Sequence, residues 1–351
     1  MKIKPVVILF VILCLITLLL TLFSRQPRSE ALRSFGNPIL PRHLIAQIAQ
    51  ITLTEKNSEK TITLQKKDND IWRIPNYYNA PANFTRIAKL IDDLEASKIQ
   101  RAVTANPERL QRLGLNARTV AFYDAQSNEI YNISIGDFTP EGGLYVQLHK
   151  NDLCYEAYPP VFYTASPDEW LAREFFQFDI QNIHSLEFQI SPDCTAKFQR
   201  DDQGKWQMIQ PQLTEGQSLK NDMPESLLRQ ILDIKVFQHK LITDPYAQAA
   251  LQKARLFELT LKDGQKFSFK IGRAQAAENT SDSSSTAEKP VLLFLQNAPE
   301  NYVWLEAART IIPYVSETLF KQIPSSIEEM LAPIAENETT DQHPSTPQTV
   351  N

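Results

Sequence analysis

The chain is poor in the residues that usually carry chemistry. Its 351 residues include five histidines and three cysteines. His43, His149, His184, His239 and His343 fall in no HxH, HxxH or HExxH spacing, so no zinc-ligand motif is present. There is no CxxC pair, no GxSxG elbow, no Walker loop and no dinucleotide fingerprint. A basic excess is also missing. Lysine and arginine number 36 against 41 acidic residues, and the formal charge of −5 lacks the footprint of a nucleic-acid binder. The sequence implies no cofactor, no metal and no catalytic residue.

Hydrophobic content is 42% and charged content 22%, the profile of a globular chain long enough for two domains with cores of their own. The strongest local signal is the uncharged run Pro5–Phe23, preceded by Lys2 and Lys4. At about 1.5 Å per residue a helix of that length roughly spans a bilayer core. A cleaved signal peptide would have a shorter apolar run and a small-x-small site. Here Arg25, Gln26, Pro27 and Arg28 follow almost at once, so a retained anchor is expected. Cys14 reads as an apolar residue of that run. Lys2 and Lys4 favour a cytoplasmic N-end and Arg25, Arg28 and Arg33 oppose it, but a long following domain translocates largely regardless of charge. The expectation is a single-pass protein of the inner membrane with a periplasmic body. In that oxidising compartment Cys154 and Cys194 would either pair or remain two buried thiols.

Internal similarity sets the domain plan. Trp72 in "DNDIWRIP" and Trp206 in "DQGKWQMIQP" stand 134 positions apart, each after an alternating strand-like stretch. Upstream, "IAQITLTE" answers "IHSLEFQI". Downstream, Ile87, Leu90, Ile91 and Leu94 in one half, and Leu227, Leu228, Ile231 and Leu232 in the other, recur at helical spacing. Asn106-Pro107 and Asp244-Pro245 are two N-cap and first-turn pairs. Ile135-Gly136 and Ile271-Gly272 close the series. The predicted fold is therefore α+β: an N-terminal transmembrane helix, then two tandem homologous domains, each a mostly antiparallel sheet with helices on one side. The predicted limits are an anchor over 1–24, a linker over 25–43, the first copy over 44–160 and a connecting helix over 161–179. The second copy takes 180–315 with a low-complexity insertion at 274–290. A helical segment follows over 316–335 and a disordered tail over 336–351. Ser166, Pro167 and Glu169 start the connecting helix as a capping box. The apolar face Trp170, Leu171, Phe175 and Phe176 is expected to pack between the copies.

The glycine-rich stretch "ISIGDFTPEGGLYVQL" resembles a phosphate loop only in composition. A phosphate cradle needs a helix N-terminus or a nest of N–H groups, and here an alternating strand follows. A hairpin turn is predicted. Trp72 and Trp206 occupy one repeated place and read as core anchors rather than a sugar-stacking platform. Asp92, Asp93 and Glu95 read as a solvated helix face, and Asp168 and Glu169 as complements to a helix dipole. Tyr77 and Tyr78, in the loop "PNYYNAP", are the candidate partner-binding residues.

The strand carrying Trp72, the segment Leu110–Leu115 "LQRLGL" and the IGD-x-T-P-x-G turn from Ile135 to Gly142 together resemble the domain-of-unknown-function family 4340. The resemblance covers about 44–160 and weakens over the second copy. It implies a bacterial, membrane-anchored protein, a companion of ABC transporter components related to gliding motility, with no catalytic residue to transfer. The expected function is a non-enzymatic accessory or scaffold of a membrane transport or envelope complex. Its partners would be the lipid bilayer, through the N-terminal helix, and a membrane protein. The alternatives are a binding module for an envelope glycan, peptide or small ligand and, more remotely, a hydrolase with a scattered site.

Overall fold

The computed structural model describes residues 13–17, 34–67, 70–220, 223–274 and 290–332. Among them no helix is long and apolar enough to cross a membrane. The expected anchor Pro5–Phe23 lies outside the described residues except for 13–17, which are helical. The insertion, apart from residues 274 and 290, and the tail lie outside them as well. The chain divides into two compact units, Met1–Arg173 and Glu174–Asn351.

The first unit holds an antiparallel nine-stranded sheet in the order β4-β3-β2-β1-β6-β7-β8-β9-β5. The strands are β1 Gln50–Glu55, β2 Lys60–Lys66, β3 Trp72–Ile74, β4 Ala80–Pro81, β5 Lys98–Thr104, β6 Arg118–Tyr123, β7 Glu129–Phe138, β8 Leu144–Leu148 and β9 Cys154–Tyr158. Alternation creates the apolar face. Ile62, Leu53, Val120 and Ile133 form one cross-strand row, and Leu64, Ile51, Phe122 and Tyr131 the next. Helix α1 (Phe84–Ala96) is capped by Asn83, whose Oδ1 accepts from the Arg86 N–H, and it buries Ile87, Leu90 and Leu94. Helical turn α2 (Pro107–Leu110) is capped by Asn106 Oδ1, which accepts from the Glu108 and Arg109 N–H groups.

The second unit repeats this connectivity. Its eight antiparallel strands run β12-β11-β10-β14-β15-β16-β17-β13. They are β10 Ile183–Ser191, β11 Cys194–Arg200, β12 Trp206–Gln210, β13 His239–Leu241, β14 Arg255–Leu261, β15 Lys266–Gly272, β16 Val291–Asn297 and β17 Ile311–Val315. Matching strands in chain order gives the same spatial order as in the first sheet, except that among the described residues no strand corresponds to β4. Helix α3 (Met223–Leu232) stands where α1 does and buries Leu227, Leu228 and Ile231. Helix α4 (Pro245–Gln252) stands where α2 does, capped by Asp244 Oδ1 from the Tyr246 and Ala247 N–H groups. Ala247 and Ala250 of α4 pack with Leu292, Phe294 and Ile312.

The two glycines closing the sequence repeat serve one purpose. A Cβ on Gly136 would lie 2.1 Å from the Leu113 carbonyl oxygen, and one on Gly272 would lie 2.6 Å from that of Ala250. In each unit the helical segment crosses the strand end too closely for any side chain.

The connecting segment differs from expectation. Its helix is one turn, Pro167–Trp170, and Ser166 makes no side-chain cap. Glu169 instead pairs with Arg86 of α1 at 2.6 Å. The expected apolar face is divided. Trp170 donates from Nε1 to the Thr164 carbonyl, and its own carbonyl accepts from the Asn83 N–H, within the first unit. Phe175 stacks on Trp304 at 5.6 Å in the second. The segment is not helical past residue 170, so the four side chains cannot form one helical stripe.

Candidate functional site

Two of the three family-like segments, Leu110–Leu115 and the turn from Ile135 to Gly142, meet in the first unit, while Trp72 lies apart on β3. Strands β7 and β8 meet in a hairpin with Phe138 opposite Leu144, so the glycine-rich stretch is a turn, as expected. Thr139 holds it. The Thr139 N–H donates to the Gly143 carbonyl at 2.9 Å, and the Gly142 N–H donates to the Thr139 carbonyl at 3.0 Å. The Gly143 N–H donates to Thr139 Oγ1 at 3.0 Å, and that hydroxyl donates to Glu156 Oε1 at 2.7 Å. Gly142 has φ +85°, and a Cβ on Gly143 would lie 2.7 Å from the Ala157 carbonyl oxygen. Both turn glycines are therefore conformational necessities.

Glu156, on β9, is only 5% exposed. Its Oε2 accepts from Arg101 Nε at 2.5 Å, directly across the β5–β9 ladder. That bond and the carboxylate charge hold the Arg101 guanidinium above its ordinary pKa. With one oxygen on Thr139 and the other on Arg101, the buried carboxylate is satisfied. Behind the hairpin, a Cβ on Gly114 would sit 2.6 Å from the Asp137 carboxylate, so the "LGL" and "IGD" segments pack directly on one another.

This frame carries aromatic rings into solvent. Phe138 is 52% and Phe162 63% exposed, with ring centroids 5.6 Å apart, and Tyr158 is exposed at the end of β9. Sequence reading missed this group and the Arg101–Glu156–Thr139 network beneath it. A lone glutamate in the otherwise uncharged strand "CYEAY" was the available signal.

Tyr77 and Tyr78 lie between β3 and β4 with ring centroids 5.2 Å apart. The Tyr77 hydroxyl donates to Asp168 Oδ1 at 3.3 Å. Burial, and then the Asp168 charge, push that hydroxyl up to about 12. Tyr77 is thus engaged within its own unit, while Tyr78 is exposed at φ +57°. Trp72 is buried at 7% exposure; Trp206 is half-buried.

Cys154 and Cys194 form no disulfide. Cys154 is fully enclosed in the first unit, where burial raises its thiol to about 12, and Cys194 lies on β11 of the second. Among the described residues no three His, Cys, Asp or Glu side chains are grouped to hold a metal. The second unit contains cavities of about 460 Å³ beside Phe178 and Tyr302, 540 Å³ beside Trp206, and 620 Å³ beside Phe237 and Tyr314.

The family described as a domain of unknown function, DUF4340, matches residues 72–247. The match starts at Trp72 in β3 and ends at Ala247 in α4, so it spans parts of both units rather than the first copy alone. No curated protein and no solved structure matches the chain.

Proposed function

Because the chain belongs to the DUF4340 family of unknown function, its role must come from its own residues, and we propose a non-enzymatic accessory or scaffold protein of a membrane transport or envelope complex. In this reading Pro5–Phe23 is a single membrane-spanning helix of the inner membrane and the body is periplasmic. The two units are copies of one duplicated domain, which their common strand order, equivalent N-caps and equivalent crowded glycines support.

One observation carries the reading. The family-like residues Gly114, Gly136, Thr139 and Gly142 are spent on holding a hairpin, and that hairpin presents Phe138 to solvent beside the exposed Phe162 of the segment after β9. Rigidly held, exposed aromatic rings are what a partner-binding surface offers. The partner is a membrane protein. Affinity isolation of the full chain from mildly solubilised membranes should recover one specific membrane protein. The double change Phe138→Ser with Phe162→Ser should lower that recovery about tenfold or more. Repeated recovery of the chain alone, or undiminished recovery with the double variant, would refute the assignment. A second reading, a ligand-binding module, is favoured by the cavity at Trp206.

A further inference from the structure

Each sheet has two outermost strands, and proteins protect such edges by shortness, proline or charge. In the first unit β4 is two residues ending in Pro81, and β5 carries Lys98 and Arg101. In the second, β13 is three residues and includes His239 and Lys240. Strand β12 has none of these protections. It runs from Trp206 to Gln210 with no charge and no proline, and it leaves Ile209 44% exposed.

The first unit shows what covers the equivalent edge. After β3 the chain turns back over Pro75–Asn79 and pairs Ala80 and Pro81 with Ile74 and Arg73 as β4. After β12 it makes no such return among the described residues. The segment before α3 pairs elsewhere. Leu219 bridges Leu331, the Lys220 N–H donates to the Met330 carbonyl at 2.9 Å, and the Ala332 N–H donates to the Ser218 carbonyl at 2.8 Å.

This leaves two open backbone edges. The Asp201 N–H donates to the Lys205 carbonyl. An antiparallel ladder alternates from there, so Gln207 faces β11, while Trp206 and Met208 turn their N–H and C=O groups outward. By the same alternation the N–H and C=O of Leu219 point away from Leu331. Trp206, Met208 and Leu219 all line one cavity of about 540 Å³. Its charged residues, Lys205, Lys220 and Glu225, carry both signs and so select no single charge.

We propose that β12 takes up an extended peptide segment of a partner protein as an added strand, in the place that β4 holds in the first unit. Main-chain hydrogen bonds to Trp206 and Met208 hold it, and its side chains cover Ile209 and Met208. The inference rests on the second unit alone. It sharpens the second reading above, from a ligand to a peptide strand, and its failure would leave the test at Phe138 and Phe162 as it stands.

The test is hydrogen exchange of the full-length protein in detergent micelles, read over Trp206–Gln210. The probes are two end-blocked peptides, Tyr-Tyr-Asn-Ala-Pro-Ala-Asn, which copies Tyr77–Asn83, and Thr-Val-Thr-Val-Thr. At least one should slow exchange there saturably, by about tenfold once it is in roughly tenfold excess over its Kd. The second peptide with every amide N-methylated should not. Met208→Pro removes an outward N–H and spares the ladder to β11, so it should melt close to the parent yet lose the response. Should that variant fail to fold, the N-methylated comparison decides alone. No slowing by either peptide overturns the proposal, as does equal slowing by the N-methylated form or full binding by a folded Met208→Pro. A dimer that Met208→Pro dissociates would give the edge to a second copy, and protection lost on deleting residues 333–351 would give it to the chain's own tail. Either result also overturns it.

Discussion

The two units share a frame but fill it differently. In the first, one cross-strand row is aliphatic: Ile62, Leu53, Val120 and Ile133. The matching row of the second is Ala196, Phe188, Phe257 and Phe269. Its three phenylalanines stack in sequence at 5.6 Å and 5.4 Å. The connectivity tolerates this exchange because a core accepts coordinated changes that conserve total volume and pattern. The polar positions diverge more sharply. Arg101 opposite Glu156 becomes His239 opposite Pro313, so that arginine–glutamate pairing is not repeated in the second unit. Asp137, packed over Gly114, is answered by Arg273, which pairs with Glu317 and lies 4.8 Å from the Phe320 ring centroid. The shared frame is held by backbone approach and apolar alternation. The individual surfaces are set by the few polar residues each unit keeps.

The sharpest contrast is the repeated tryptophan, and it yields the largest expected effect. Trp72→Ala removes a fully packed ring and should destabilise by about 3–5 kcal/mol. Trp206→Ala, at a half-buried position beside a cavity, should cost about half of that or less. Urea unfolding followed by circular dichroism measures both. Equal losses would mean that Trp206 is a core anchor after all, and would erase the distinction on which the cavity depends.

Much of the frame was legible in the sequence because its signals are local. Strands β1, β2, β10 and β16, helices α1 and α3, and the Asn106 and Asp244 caps follow from alternation, helical spacing and capping chemistry. The equal strand order of the two sheets fits the spacing of the tryptophans, glycines and proline-led turns. What was not legible depends on distant neighbours. Nothing near Glu156 announces that Thr139 and Arg101 will satisfy it. Nothing near Trp206 announces that, among the described residues, no strand pairs with the outer side of β12. The expected capping box at Ser166 was a correct local pattern overruled by a tertiary contact, since Arg86 takes Glu169.

A second pair of changes probes the shared constraint rather than the divergence. Gly136→Ala places a methyl 2.1 Å from the Leu113 carbonyl oxygen, and Gly272→Ala places one 2.6 Å from that of Ala250. Neither obstacle is the tip of a flexible side chain, so relief requires backbone movement. Each substitution should cost about 1–3 kcal/mol, with Gly136→Ala the more severe. Thermal unfolding of both variants checks this. If one unit accepts alanine freely, the close helix–strand crossing is not a common requirement of the fold.

The smallest expected effect separates the two N-caps by pH. Asn106 cannot titrate, whereas Asp244 can. Its carboxylate is held below the usual range, first by the hydrogen bond from Lys240, at 2.9 Å, and then by the Tyr246 and Ala247 N–H groups. A carboxylate whose folded pKa is depressed stabilises the fold above its unfolded value of about 3.9, and that contribution is lost as pH falls through the folded value. The partner ammonium of Lys240 is raised, mainly by its hydrogen bond to Asp244. Its contribution is present below about 10.4 and is lost as pH rises through the folded value. Asp244→Asn retains a side-chain oxygen for the cap but removes the charge, giving the second unit the cap chemistry of the first. The variant should melt slightly lower than the parent at pH 7, and its melting temperature should fall less between pH 5 and pH 2. An unchanged acid limb would mean that Asp244 caps α4 as a neutral hydrogen-bond acceptor would, and that the two caps differ in name only.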